Sequence, residues 1–229
     1  MENNYWVKFW NEDKIIHCDN LQSQVARTIN KVPVNEDNWQ FTLSFIAKNL
    51  ELCFEDNLLD LCAGNGLISI PFSKICRSVT SVDVSDVFIE GIDSESCPNI
   101  KTIIADVRKL DFEENSFTKV IMYAAIQYFS EQETILLFEK LYKWLCPGGI
   151  VLIGDIPDSS KLWDFFNTDE RRKAYINSVK FDKPIIGYWF TKEFLTTSAS
   201  FAGFNEFSYI SQPEQLINHT HRFDLLLKK

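Results

Sequence analysis

The chain changes its pattern of hydrophobic and polar positions at about residue 57. From there, short apolar runs alternate with segments of helical spacing. The strand-like runs are 58–61, 79–83, 100–105, 119–124 and 150–153, and the helical segments are 67–76, 86–92 and 131–145. Nearly continuous apolar strands that alternate with helices are typical of a parallel sheet covered on both faces. We therefore predict an α/β core over residues 57–154.

The first 56 residues have the apolar spacing of helices. Asp19 or Asn20 can cap a helix that ends at Pro33. A second helix is capped within residues 35–37 and extends to Leu50. We interpret this region as a helical cap on the α/β core.

The last third of the chain has a different pattern. Residues 155–190 read as an irregular, aromatic-rich insertion, and Thr191 then caps a helix that ends at Gly203. Residues 204–210 and 222–227 read as two closing strands. A long insertion of this kind is typical of a functional loop, here a lid over a substrate. We expect one domain over 1–229: cap 1–56, core 57–154, lid 155–190, and closing helix and strands 191–229.

Composition narrows the class of partner. The net charge is −9, with a pI near 4.9, whereas nucleic-acid surfaces need a basic stripe. The short run 170–173, Glu-Arg-Arg-Lys, reads as a solvated helix face. The six cysteines form no Cys-x-x-Cys pair, so we expect no metal site. We also find no secretory signal and no apolar run of membrane length. These features favour a cytoplasmic monomer or homodimer that binds neither nucleic acid nor membrane.

Three acidic residues stand at the ends of three successive predicted strands. Asp60 opens a loop with Gly64 and Gly66, and Asp83 and Asp106 end the next two strands. Glycines let a ligand approach the backbone, and ligands bind at the carboxyl ends of parallel strands. Each feature alone has a structural alternative: a plain βα turn, a helix cap for Asp83, and a turn-initiating aspartate for Asp106. Together they predict a nucleotide-like binding site.

The stretches that carry these residues resemble the class I S-adenosylmethionine-dependent methyltransferases. They are LLDLCAGNGLISIPF (58–72), SVDVSD (81–86), IIADVRKLDF (103–112), VIMYAAIQYFS (120–130), LYKWLCPGGIVLIGD (141–155) and FTKEFLTTSASFAGF (190–204). The resemblance implies a Rossmann-like three-layer α/β sandwich. Its seven-stranded sheet is mostly parallel with an antiparallel last strand, and N-terminal helices are added to it. By contrast, the Gly-x-Gly-x-x-Gly fingerprint of dinucleotide oxidoreductases fails at Ser69.

The resemblance implies S-adenosylmethionine as cofactor and a role for each part of the site. The loop from Asp60 faces the methionine end and the sugar, Asp83 holds the ribose hydroxyls, and Asp106 accepts from the adenine amino group. The implied cofactor residues are Asp60, Cys62, Ala63, Gly64, Asn65, Gly66, Asp83, Val84, Asp106, Val107, Tyr123 and Ala124, with Arg27 added as a partner for a carboxylate. Cys62 is a departure, because the family usually has glycine there. Arg27 has a plain alternative as a surface residue.

Methyl transfer from a sulfonium needs positioning above all, and a hydroxyl acceptor benefits from a general base. The candidates are His219 and His221, which precede the last strand, and Asp155, which ends the fifth. Their alternatives are an exposed loop pair and a cap. We therefore expect methylation of a small-molecule acceptor, at an oxygen of a sugar or secondary metabolite. Nucleic-acid or protein methylation, or a non-catalytic cofactor-binding module, are the alternatives.

Overall fold

The computed structural model describes residues 5–11, 20–93 and 95–229. Helix α1 is Tyr5–Trp10, α2 is Leu21–Gln24, and α3 is Glu36–Asn49. Asn20 caps α2 by accepting from Ser23 N at 3.0 Å, as the sequence predicts. Asp19 lies outside the described residues.

The prediction that the first cap helix continues to Pro33 is wrong. The helix ends at Gln24, and the chain then forms a hairpin of β1 (Thr28–Ile29) and β2 (Val32–Pro33). Asn30 and Lys31 form its two-residue turn with φ of 50° and 67°. Positive φ at both turn positions matches the twist of paired strands. Apolar spacing alone did not reveal this turn.

A seven-stranded sheet forms the centre of the molecule. Its strands are β3 (Asn57–Leu61), β4 (Ser78–Asp83), β5 (Ile100–Ile104), β6 (Phe117–Tyr123), β7 (Leu145–Pro157), β8 (Glu206–Ser211) and β9 (Arg222–Lys228). Their order is β5-β4-β3-β6-β7-β9-β8, and β9 runs antiparallel to both of its neighbours. The predicted Rossmann-like α/β sheet with an antiparallel last strand is confirmed.

Helices cover both faces of this sheet. They include α4 (Ser69–Ser73), α5 (Asp86–Glu90), α6 (Glu131–Trp144) and α9 (Lys192–Ala202), whereas α7 (Leu162–Phe165) and α8 (Asp169–Lys180) lie in the insertion after β7. Neighbouring residues of β3 point to opposite faces: Leu58 joins a core cluster with Ile46 and Phe72, and Leu59 joins one with Phe138. Both faces of β3 are therefore buried, which explains its unbroken apolar run.

Two predicted boundaries near β7 need correction. We expected the preceding helix to cover 131–145 and the strand to cover 150–153, but α6 ends at Trp144 and β7 already begins at Leu145. Leu145 pairs with Phe117, so it belongs to the sheet. The insertion is also less irregular than predicted, because it contains α7 and α8. The predicted α9 is confirmed: Thr191 caps it, and Gly203 ends it with φ of 114°.

The strand order places a crevice at the carboxyl end of the sheet. β3 has β4 on one side and β6 on the other, so the chain leaves β3 and β6 in opposite directions. Ligands of open α/β sheets bind at this topological switch point. Within the described ranges, no helix has both the length and the apolar character that a membrane crossing requires.

Candidate functional site

A cleft opens at this switch point, with about 1040 Å³ of empty space that includes its open mouth. Core loops form its floor and the N-terminal elements form part of its wall. The lining includes every predicted cofactor residue except Gly66: Arg27, Asp60, Cys62, Ala63, Gly64, Asn65, Asp83, Val84, Asp106, Val107, Tyr123 and Ala124. The structure thus brings together residues that stand up to 97 positions apart in the chain.

The loop after β3 depends on left-handed backbone positions. Gly64 and Gly66 have φ of 56° and 82°. A Cβ on Gly64 would lie 2.9 Å from Val25 Cγ1, and one on Gly66 would lie 3.0 Å from Ile92 Cγ1. Gly66 therefore faces the isoleucine side chains behind the loop and not the cleft. Its part is to let the turn form.

Cys62 occupies the position where the resembling family has glycine. It has φ of 59°, and an L-residue in the left-handed region costs about 1 kcal/mol. Burial raises the pKa of its thiol well above the ordinary value, and the charge of Asp83 adds to that effect. Cys62 therefore presents a neutral, small side chain to the cleft.

Asp83 fastens the glycine loop to the end of β4. Its Oδ2 accepts from Gly64 N at 2.8 Å, and its Oδ1 accepts from Ser85 N at 2.9 Å. Burial raises the pKa of Asp83, although these backbone N–H groups lower it. Asp83 also lines the cleft, so its carboxylate serves the turn and faces the space that a ligand would occupy.

Asp106 begins the 3₁₀ turn Val107–Lys109 and also lines the cleft. It accepts from Arg108 N at 3.0 Å, and the Arg108 Nε lies 3.1 Å from its Oδ1. The turn-initiating alternative is thus present in the structure, and it holds the carboxylate at the cleft wall. Val107 beside it is buried.

Asp60 lies beneath the loop and is 2% exposed. Its Oδ2 accepts from Ser69 Oγ at 2.6 Å, and Ser69 Oγ in turn accepts from Ser81 Oγ at 2.7 Å. Burial raises the pKa of Asp60 to about 7, which outweighs the bond from Ser69. This carboxyl group is therefore partly protonated near neutral pH.

Arg27 is a buried member of an ion-pair cluster and not a surface residue. Its guanidinium donates to Asp155 Oδ2 and to Tyr123 Oη, each at 3.1 Å. Arg222 donates to the Asp155 carbonyl oxygen at 2.6 Å and lies 3.5 Å from Oδ2. Burial raises the pKa of Asp155, but the charges of Arg222 and Arg27 hold it below the ordinary value. Asp155 is thus a poor proton acceptor.

The two histidines lie outside the cleft lining, as does Asp155. His219 has Nδ1 2.9 Å from the Leu216 carbonyl oxygen. His221 packs against Phe165, with ring centroids 4.7 Å apart. Partial burial and the charge of Arg222 lower the pKa of His221 to about 4, so its ring is neutral at physiological pH.

Sequence reasoning missed the aromatic wall of the cleft. The additional lining residues are Trp6, Trp10, Trp39, Phe88, Tyr128 and Phe129. The Trp6 and Tyr128 rings have centroids 4.4 Å apart, and those of Trp10 and Phe88 are 6.3 Å apart. Trp6 and Trp10 are four positions apart, so they share one face of a helix. The four-residue spacing of these tryptophans is the feature of the sequence that could have indicated an aromatic face.

A family model described as a methyltransferase domain matches residues 58–149. These residues extend from β3 into β7 and contain the glycine loop, Asp83 and Asp106. Residues 58–149 therefore form a methyltransferase domain, and the fold is that of the class I S-adenosylmethionine-dependent methyltransferases. The cofactor of this domain is S-adenosylmethionine.

Two curated relatives show how similar this methyltransferase is in sequence to known proteins. The demethylmenaquinone methyltransferase of Staphylococcus aureus (strain MRSA252) is 28% identical over 217 residues, which is 86% of each chain. The phosphoethanolamine N-methyltransferase of Plasmodium falciparum (isolate 3D7) is 27% identical over 139 residues, 59% of this chain. The methyltransferase matches only 51% of that second relative.

Solved structures share the fold. Phosphoethanolamine N-methyltransferase 1 of Haemonchus contortus, in complex with phosphoethanolamine and S-adenosylhomocysteine, has a TM-score of 0.69 at 17% identity. The match covers 98% of this methyltransferase and 48% of that chain. A methyltransferase of Methanosarcina mazei has a TM-score of 0.60 at 18% identity, with 80% and 94% covered.

The residues of the cleft fit the cofactor that the family uses. Asp83 and Asp106 offer acceptors for hydroxyl and amino groups, and the open turn at Gly64 lets a ligand approach the backbone. Asn65 Nδ2 donates to Leu21 O and Gln24 Oε1, whereas its buried Oδ1 has no hydrogen-bond partner within the described residues. A buried acceptor of this kind suits a donor from a ligand.

Proposed function

We propose that this methyltransferase transfers a methyl group to a small molecule with a flat, apolar body. The observation that carries the proposal is the aromatic wall of the cleft, built from Trp6, Trp10, Trp39 and Tyr128. Aromatic side chains bury large apolar areas and stack on flat rings. Small-molecule sites are mostly apolar, with a few polar groups that fix orientation.

The assignment of the cofactor's parts follows from the same cleft. We assign the ribose hydroxyls to Asp83, the adenine amino group to Asp106, and the methionine end to the loop 60–66. Arg27 has five N–H donors and uses two of them on Asp155 and Tyr123. It therefore retains donors for a carboxylate of the cofactor or of the acceptor.

Bound S-adenosylmethionine supplies a methyl group that its sulfonium already activates. The protein holds the acceptor in line and excludes water, and the aromatic wall does both. Asp155 is held in ion pairs with Arg27 and Arg222, which lower its pKa. We therefore assign it the role of positioning Arg27 and not that of the base. A hydroxyl acceptor would require His219 or His221 to approach the cleft, and their role as base stays a prediction.

The names of the curated relatives support two chemical classes of methyl acceptor. The name of the Staphylococcus aureus relative gives demethylmenaquinone as its substrate, which supports an apolar ring. Oxygen methylation of a secondary metabolite stays a prediction, and the apolar lining favours it over a sugar. The phosphoethanolamine enzyme among the relatives supports an amine as the second candidate. The Trp6 and Tyr128 rings, tilted by 43° to each other, form an aromatic surface that attracts cations.

Two alternatives from the sequence remain as outcomes of a test. Methylation of nucleic acid conflicts with the net charge of −9, and methylation of protein is a separate outcome of the test. A non-catalytic module would bind the cofactor and transfer nothing. The two alternatives and the proposal differ in which molecule receives the methyl group.

The test is methyl transfer from radiolabelled S-adenosylmethionine to a panel of phenols and hydroquinones, sugars, and primary amines. We expect label in the ring compounds, with Asp83→Asn as the inactive control. Label in RNA or protein, or cofactor binding without transfer to any class, would refute the proposal. Label in amines alone would favour the second candidate.

A further inference from the structure

Helix α8 and the segment after it expose a group of apolar side chains. Ile176 is 56% exposed, Val179 63%, Phe181 61%, Ile185 51% and Tyr188 48%. Ile176 and Val179 are three positions apart, so they lie on one helix face. Isolated exposed apolar residues are ordinary, whereas a contiguous group marks an interaction surface.

The same surface is basic in an acidic protein. Residues 169–183 contain five Lys or Arg against three Asp or Glu, whereas the whole chain has 23 against 32. Arg172, Lys173, Lys180 and Lys183 are exposed. We call Ile176, Val179, Phe181 and Ile185 with these four cations the basic apolar face.

Contacts on the other side of α8 fix this orientation. Tyr175 packs on Phe166 with ring centroids 4.8 Å apart, and the Arg171 guanidinium lies 4.3 Å from the Phe165 ring centroid. Ser178 is buried. The helix therefore holds one side against the domain and keeps the basic apolar face outward.

The segment that follows the basic apolar face reaches the edge of the cleft. Tyr188 N donates to the Gln127 carbonyl oxygen at 2.8 Å, and the next residue, Tyr128, lines the cleft. A molecule that arrives at this surface would thus be near the aromatic wall.

We propose that the basic apolar face binds the surface of an anionic lipid bilayer, from which a lipid-soluble acceptor enters the cleft. Amphipathic helices with cations around exposed apolar side chains bind such interfaces. The acceptor part rests on the proposed function, whereas membrane binding does not. The proposal revises the sequence-based expectation of no membrane partner, which rested on the lack of a spanning segment.

Two exposed apolar side chains on other helices lack this charge pattern. They are Leu136 of α6 and Phe201 of α9, which are 50% and 77% exposed. The exposed Glu139 follows Leu136 by three positions, and the exposed Glu193 lines a groove with Phe201, so both positions would be opposed by an anionic surface. Leu136 and Phe201 therefore provide the control.

The test is co-sedimentation of the full chain with neutral phosphatidylcholine vesicles and with vesicles that contain roughly one third phosphatidylglycerol. One variant combines Ile176→Ser, Val179→Ser and Phe181→Ser, and another combines Lys173→Glu, Lys180→Glu and Lys183→Glu. The control variant combines Leu136→Ser and Phe201→Ser. All substituted side chains are exposed, so we expect each variant to fold. Calorimetry with S-adenosylhomocysteine checks folding without reference to lipid.

We expect binding to the anionic vesicles that high salt weakens. The charge variant should bind roughly a hundredfold more weakly, the apolar variant should also lose binding, and the control should not. Lack of sedimentation with anionic vesicles, equal binding to neutral vesicles, or a dimer that the apolar variant disrupts would each overturn the proposal. Because label transfer to soluble ring compounds is measured without vesicles, failure of membrane binding is distinguishable from failure of the proposed function.

Discussion

The two sides of the cleft are built in different ways. On the cofactor side, strand ends and backbone turns fix every group: Asp83 accepts from Gly64 N, and Asp106 begins its own turn. On the side that we assign to the acceptor, side chains from distant segments meet: Arg27 of the cleft wall pairs, across 128 positions, with Asp155 outside the lining. The first side thus depends on local geometry, and the second depends on packing between elements.

The largest effect should come from breaking the cofactor side at Asp83. Asp83→Asn removes a charged acceptor from two hydroxyl contacts, each worth about 1.5–3 kcal/mol. We expect S-adenosylhomocysteine to bind about 10²–10⁴-fold more weakly. Isothermal titration calorimetry measures this change. Asp86→Asn, an exposed substitution at the start of α5, is the control, and equal losses in the two variants would contradict the assignment.

Disruption of the Arg27–Asp155 cluster should lower the free energy of unfolding. Asp155→Asn leaves Arg27 and Arg222 buried without their carboxylate, and removal of one partner of a buried pair costs about 3–5 kcal/mol. Urea unfolding measures it. Asp164→Asn removes an exposed partner of Lys161 and should change stability by less than about 0.5 kcal/mol. If both variants unfold alike, the buried cluster is not what fixes the acceptor side.

Asp60 should give the cofactor side a pH dependence. Its folded pKa of about 7 lies above the unfolded value, so the native state holds the proton more tightly. The stability that this gives is complete below about pH 4 and is lost as the pH rises to about 7. Asp60→Asn cannot ionise, so the variant should gain about 2–4 kcal/mol relative to wild type between pH 4 and pH 8. Urea unfolding at a series of pH values measures this difference. If the free energies of unfolding of the two proteins change in parallel with pH, the folded state does not raise the pKa of Asp60.

The smallest effect should come from the aromatic wall. Trp6→Ala removes a ring that contacts Tyr128, and such aromatic pairs are worth about 0.5–1.5 kcal/mol beyond their buried area. We expect the KM for a ring acceptor to rise roughly tenfold, because the aromatic wall binds the acceptor. Trp163→Ala, at a 49% exposed tryptophan of α7, should keep the wild-type KM. An unchanged Trp6→Ala variant would mean that α1 does not cover the acceptor.

The sequence predicted that the residues at these strand ends would come together, because their signals are local. Strand, glycine loop and a terminal acid stand within a few residues of each other, and strand order then brings Asp60, Asp83 and Asp106 to one cleft. Even there, the sequence did not indicate that Gly66 faces Ile92. The side chain at Cys62 does not prevent the left-handed turn that glycine usually makes.

The acceptor side was less predictable for physical reasons. The hairpin at Asn30 and Lys31 depends on two left-handed residues that apolar spacing does not indicate. Asp155 has the position of a candidate base, but only the tertiary contacts with Arg27 and Arg222 lower its pKa. The order in the insertion comes from Phe165, Phe166 and Tyr175 packing together, and that packing has no periodic signal.

The most direct measurement is calorimetric titration of the wild-type chain with S-adenosylhomocysteine. The central claim is that residues 58–149 and the N-terminal elements form one cofactor cleft. It requires one molecule bound per chain, with a negative heat-capacity change from apolar burial and weaker binding in Asp83→Asn. Absence of binding by a folded chain, or binding that Asp83→Asn leaves unchanged, would contradict it.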